Sequence, residues 1–437
     1  MLIYLIILFG LQFFSYIYIS DKFSSFLKIK SSKHGTFLLA FLIPGLMVSQ
    51  MLMYQPGSNI SPWAYKNGLL NHILFAGRTL SNWFSIFTAL YCFLFLGIGL
   101  YKKAFKIYDF LIFFSLFTVV CIGTLKSNSL SSGLAEGLKY LLPFIVYATI
   151  KTYKSSTWRL LIEKLLLFTN IILILQVLIC KIFTGKYAAS SYYLEMREEF
   201  FGFYNHPHNF TGLLGILSIW CFYNINRQHK PALNLILVFI NIILMFISGS
   251  RSYLCSLMIA LFYILIFSLI DKKVKRMRKF VFAAIFIGIF LGPYYLTYLN
   301  SQRLLTSFLS GREKRWLQDF HYYLENMSII DKLIGGGFGF VNEVNMELVG
   351  TNINSLNIII DILINNGIIG LLFTILVYFI LFDYFIKTGD KRFSIMMMVF
   401  FIVSSIFTNL ISYQVVTIYM VLVLFVMRKN TIIKIKK

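Results

Sequence analysis

Runs of about 20 mostly apolar residues return from one end of this chain to the other, the length a helix needs to cross a bilayer. They fall near 2–19, 36–54, 82–100, 107–125, 133–150, 160–183, 208–225, 231–247, 252–270, 280–298, 357–386, 393–411 and 412–427. The pattern predicts an all-α, polytopic integral membrane bundle of about 12–13 transmembrane helices, with 1–437 as a single membrane domain. Composition agrees, since 58% of residues are hydrophobic and only 13% charged, an excess that no soluble core absorbs. Soluble enzymes, secreted disulfide scaffolds and disordered regulators are thereby excluded. The five cysteines all lie in apolar stretches without a Cys-x-x-Cys pair and read as small buried hydrophobes. No signal-peptide cleavage pattern follows the first run, which reads as a retained span.

The 40 Lys+Arg against 17 Asp+Glu give a net charge of +23. No soluble basic domain and no nucleic-acid motif accompanies them, so no nucleic acid is expected as partner. Most of these cations fall in every second loop: Lys22 to Lys33, Lys102 to Lys106, Lys151 to Arg159, Arg227 with Lys230, Lys272 to Lys279, Lys387 to Arg392, and the tail from Arg428. By the positive-inside rule these loops are cytoplasmic, which places the N-terminus outside and the C-terminus inside a bacterial plasma membrane. The remaining polar material lies on the outer side, chiefly in the loops 184–206 and 299–356. Any chemistry is therefore expected outside the cytoplasm, away from ATP.

The outer segments hold the candidate residues. Ser310 and Glu313 fit a capping box. Behind them, Trp316, Leu317, Phe320, Tyr323, Leu324 and Met327 recur at helical spacing, which predicts an amphipathic helix near 311–327. Arg312, Arg315 and Trp316 share about one of its turns and suit either lipid headgroups or a bidentate grip on phosphate. Arg251, in Ser248-Gly249-Ser250-Arg251-Ser252, opens a span where free helix N–H groups favour an anion; snorkelling to outer headgroups is the other reading. His206 and His208, with Pro207 between and Asn209 after, could bind sugar hydroxyls, carry a proton, or sit idle at the interface; a metal lacks a third ligand nearby. Asn357 and Asp361 stand four apart where a span begins, and Asp361 could be a base, a sugar ligand, an arginine's partner or a carboxylate at ease near a helix start. The run Ile334-Gly335-Gly336-Gly337-Phe338-Gly339-Phe340 lacks the strand and the Lys-Ser/Thr of a nucleotide loop and reads as a tight turn.

Taken in order, Phe203 to Asn209, Ser248 to Arg251, Ser310 to Arg312 with Trp316, Gly335 to Gly339, and Asn357 through Asp361 to Gly370 resemble the O-antigen polymerase/ligase superfamily, the Wzy-type polymerases and related lipid-linked glycan ligases. The resemblance covers about residues 200–380; the N-terminal half is similar only as a string of spans. It implies a glycosyltransferase that moves a glycan from a polyprenyl diphosphate carrier to a sugar hydroxyl on a second lipid-linked repeat unit. No metal, nucleotide or other cofactor is implied. Expected partners are the lipid-linked donor and acceptor, membrane lipid, and a flippase and chain-length regulator of the same pathway. Arg251, Arg312 and Arg315 would hold the diphosphate, and His206, Asn209, Trp316 and Asn357 would meet sugar. Where related ligases tend to carry His-Asn, this chain has Leu356-Asn357, which favours polymerase over ligase and leaves Asp361 first, and His208 second, as candidate base. A flippase for the same substrate is the alternative, although its cations would be expected in a central cavity.

Overall fold

The computed structural model describes residues 37–51, 80–101, 105–152, 156–184, 207–248, 250–270, 312–350 and 354–428, with Gly10, Gln12, Ser15 and Tyr18. These residues form an all-α assembly whose single β-bridge joins Gly389 to Arg428. In chain order the α-helices are α1 (Ile43–Met51, entered through a π-helical turn at Leu38–Leu42), α2 (Leu80–Tyr101), α3 (Ile107–Leu125), α4 (Leu130–Thr152), α5 (Ser156–Thr184), α6 (Pro207–Asn226) and α7 (Pro231–Ile247). They continue as α8 (Arg251–Ile270), α9 (Arg312–Glu325), α10 (Ile329–Ile334), α11 (Phe340–Val349), α12 (Ile358–Thr388), α13 (Lys391–Phe407) and α14 (Gln414–Val426). Each expected span among the described residues is a helix, with ends close to those the apolar runs mark. The span near 2–19 apart from Gly10, Gln12, Ser15 and Tyr18, the span near 280–298, the loop at 185–206 and residues 299–311 lie outside the described residues.

Among the described residues, four helices are long and apolar enough to cross a membrane: Ile107–Leu125, Leu130–Lys151, Trp158–Leu178 and the Ile358–Thr388 helix. Several others are apolar but shorter. Their outward faces carry apolar stripes at helical spacing, such as Ile107, Phe110, Phe114 and Phe117 on α3 and Ile368, Leu372, Ile375 and Phe379 on α12, all exposed. A soluble amphipathic helix turns such a stripe to the core.

At the centre stands α14, every residue of which is buried. Its sequence is hydrophobic all round, which suits a helix enclosed by others. Two of its polar side chains bond to neighbouring helices: Gln414 Nε2 donates to Ser85 Oγ at 2.8 Å, and the Tyr419 hydroxyl meets Thr169 Oγ1 at 2.7 Å. Around it pack α4, α5 and α6, while α3 and α13 pack on α12 and α8 packs on α13.

The long helix α12 is broken. Gly367 has φ 66° and ψ −171°, values that no helix interior holds. The break leaves the carbonyls of Ile364 and Asn365 without their helical partners, and the glycine run supplies replacements: the Gly336 and Gly337 N–H groups donate to them at 2.9 Å each. The close approach requires glycine on both sides. A Cβ at Gly335 or Gly367 would collide with the opposing backbone, at Asn365 or Leu333 respectively. The expected tight turn is therefore present, but its amides are spent on repairing a broken helix.

Charged groups gather at the two ends of the bundle. One end carries the buried pair Lys151 with Asp109, at 2.6 Å, and Arg428 stacked over Tyr384. At the other end Lys126 pairs with Asp331 and donates to the Gly335 carbonyl at 2.8 Å. The second end also holds the candidate site residues.

Candidate active site

Three helices begin at one place. The first turn of α6 supplies His208, the start of α8 supplies Ser250 and Arg251, and the start of α9 supplies Arg312. The His208 ring joins them: its Nδ1 meets Ser250 Oγ at 3.0 Å, and Arg312 Nη2 reaches its Nε2 at 3.5 Å. A guanidinium can only donate, an arrangement that suits an accepting Nε2 with the ring proton on Nδ1, toward Ser250. Tyr253 and Tyr413 wall the imidazole, with ring centroids at 5.7 and 6.0 Å.

Arg312 is half-buried and also fixed from behind, where Nη1 donates to the Phe407 carbonyl at 2.6 Å. The next residue, Thr408, donates from Oγ1 to Ser252 Oγ at 3.0 Å, which ties the end of α13 to the start of α8. Ser250 and Ser252 flank Arg251, so the backbone of Arg251 stands beside the His208–Arg312 pair. The side chain of Arg251 lies outside the described residues, as do His206 and the Ser310 capping group.

The electrostatics run in one direction. Helix N-termini carry partial positive charge and are ordinarily offset by acidic residues. Here α6 and α8 have no acid in the first turn, and α8 and α9 both open with arginine. The starts of α6 and α8 and the Arg312 guanidinium meet at one histidine, a grouping suited to an anion, with the Asp361 carboxylate on the far side of Tyr413.

A second cluster adjoins the first. Asp361 is fully buried near the start of α12, and both carboxylate oxygens are engaged. Oδ1 accepts from the Ser355 N–H at 2.8 Å, and Oδ2 accepts from Asn409 Nδ2 at 2.6 Å. The Ser355 carbonyl accepts from Trp316 Nε1 at 2.8 Å. Asn357 is the N-cap of α12, its Oδ1 accepting from Ile359 N at 3.0 Å and Ile360 N at 3.4 Å. Its side chain therefore serves its own helix, one turn before Asp361, whose N–H donates to the Asn357 carbonyl at 2.9 Å. Asn209 is buried one residue after His208. Arg315 faces Asp319 one turn further along α9. Burial pushes the Asp319 carboxyl above the usual carboxylate range, while the Ser355 and Asn345 side chains and Arg315 pull it back.

The structure thus brings together His208, Asn209, Arg312, Trp316, Asn357, Asp361 and the backbone of Arg251. Sequence reasoning missed Tyr253, Thr408, Asn409 and Tyr413. The signal for two of these was present, since Thr408-Asn409 is a polar dipeptide between apolar runs at the same end as Asn357. Among the described residues no three His, Cys, Asp or Glu side chains gather as metal ligands. No model of a known protein family matches this chain, and no curated protein matches it.

Proposed function

We propose that this chain is a multi-span membrane glycosyltransferase that polymerises lipid-linked repeat units on the outer face of a bacterial plasma membrane. The observation that carries this reading is the meeting of Arg312 and the starts of α6 and α8 at His208, a grouping suited to an anionic group beside an imidazole. The apolar stripes on the outward helix faces support residence in lipid.

In this reading the anion is the diphosphate of a polyprenyl carrier, held by Arg312, Arg251 and the amides at the start of α8. The bond from the sugar C1 to the phosphate oxygen breaks, and the polyprenyl diphosphate leaves with the electron pair. The positive helix ends and guanidinium groups stabilise the charge that grows on that leaving group. The acceptor hydroxyl forms the new bond to C1, and its proton passes to His208 Nε2, the ring atom oriented for it by the Nδ1–H bond to Ser250. We assign the base to His208, the second of the two expected candidates, because its ring stands at the proposed anion site and its Nε2 is released when Arg312 turns to the diphosphate, whereas Asp361 is wholly buried with both oxygens bonded inside the protein. Arg315 and Trp316 then act from the supporting face of α9.

The test is elongation of polyprenyl diphosphate-linked repeat units by the purified protein, together with the species that accumulates when the gene is deleted. Single repeat units displayed on the outer face and a polymer ladder in vitro are expected. Units trapped inside the deletion strain would identify a flippase and overturn the proposal.

A further inference from the structure

Helix α9 is held to the bundle by two side chains one turn apart, each donating to a backbone carbonyl. Arg312 donates to Phe407 O at 2.6 Å and Trp316 to Ser355 O at 2.8 Å. The two carbonyls belong to different segments, the end of α13 and the approach to α12. One side chain joins those segments: Asp361 accepts from Ser355 N with one oxygen and from Asn409 Nδ2 with the other. The spacing of the two carbonyls that α9 grips is thus set by a carboxylate that touches neither Arg312 nor Trp316. Asp361 is wholly buried, and a carboxylate accepts with both oxygens where an amide accepts with only one.

We infer that Asp361 is a positioning residue that, with Asn409, holds the Ser355 and Phe407 carbonyls at the separation that docks α9 and fixes the Arg312 guanidinium against His208. Its consequence for turnover rests on the glycosyltransferase reading above; its consequence for α9 does not.

The geometry offers a direct test by exchanging donor and acceptor. Asp361→Leu leaves both the Ser355 N–H and the Asn409 amide without their acceptor. Asn409→Asp sets two carboxylates face to face. The double variant Asp361→Asn/Asn409→Asp restores the bond with its direction reversed, at unchanged net charge. Amide hydrogen exchange of residues 312–325 in the full chain is the first measurement. Each single variant is expected to speed exchange by about tenfold or more, the loss of at least one buried charge-assisted bond, and the double variant to return to within about threefold of the parent. Repeat-unit transfer by the same proteins is the second. Falling kcat in both single variants, with recovery in the double, is expected. Unchanged exchange in Asp361→Leu, or a double variant as loose as the singles, overturns the positioning role. Restored exchange without restored transfer overturns it as the account of activity and makes Asp361 the proton acceptor. If the parent protein transfers no glycan, the exchange measurement alone decides the role of Asp361, and only the proposed function fails.

Discussion

His208 shows how little of a site can reside in a residue's type. A histidine two residues from another histidine suggested metal, hydrogen bonding or nothing. Its partners give it a direction: Ser250 fixes one ring nitrogen and Arg312 faces the other. Arg312→Ala should lower transfer by about 10²–10³ in kcat, as removal of a transition-state charge partner does, while protein level and membrane insertion persist. Arg312→Lys should recover only part of that loss, because an ammonium cannot reproduce the fork. Rates with a defined lipid-linked repeat check both, and parent-like kcat in the alanine variant would remove Arg312 from the mechanism. Asn357 makes a different prediction. As an N-cap it supports its helix, so Asn357→Ala should cost about 1 kcal/mol in thermal or denaturant unfolding with KM unchanged. A large rise in KM would return it to the sugar-binding role its position first suggested.

The helices were legible because each rests on a purely local signal, an apolar run of bilayer length bounded by cations or turn residues. The Ile107–Leu125 and Pro231–Ile247 helices have the limits their apolar runs mark. The interruption of α12 was not legible. Asn366-Gly367 is a turn-type pair, but the apolar run on either side reads straight through it, and the support for the break comes from the distant loop at 335–337, which answers the freed carbonyls. Asp361 was ambiguous for the same reason, since its partner Asn409 comes 48 residues later. Gly367→Ala and Gly337→Ala should each destabilise by well over about 1 kcal/mol, as positive φ and opposing backbone leave no room for a methyl group. Comparable melting of either variant and the parent would contradict the packing. The α10 segment gives the pH dependence. Hydrogen bonding to Lys126, and then to Ser328, holds the Asp331 carboxyl below the usual carboxylate range. A depressed acid stabilises the fold above its unfolded value and ceases to as pH falls through the folded one. The anchoring of α10 should therefore weaken below about pH 4, modestly because the pair is partly exposed. Lys126→Met should abolish that acid sensitivity of 329–340 in protease-cleavage profiles.

For the molecule as a whole, the two charged ends define an axis, and the proposed orientation puts the His208 end outside. A cysteine placed at Ser129, on the exposed turn between α3 and α4, should react with an impermeant maleimide in intact cells. One placed at Gln228, between α6 and α7, should react only after permeabilisation. The reverse labelling would move the site to the cytoplasmic face and defeat the polymerase reading. The outward stripes predict a further behaviour. Phe114→Arg or Phe117→Arg, at sites facing away from the protein, should penalise insertion by about 2.5–3.5 kcal/mol, and Phe→Leu at either should not.

The enclosed position of α14 bears on how the molecule is made. It is the last of the described helices to leave the ribosome, yet it touches α4, α5, α6 and α13, and its Gln414 bonds to α2. The earlier helices therefore cannot close on one another as they emerge; they must keep a slot open until this late segment arrives. Assembly of the interior is thereby deferred to a single closing event. A nascent chain halted before residue 414 would present an unfilled apolar groove, a ready mark for the cell's membrane proteases.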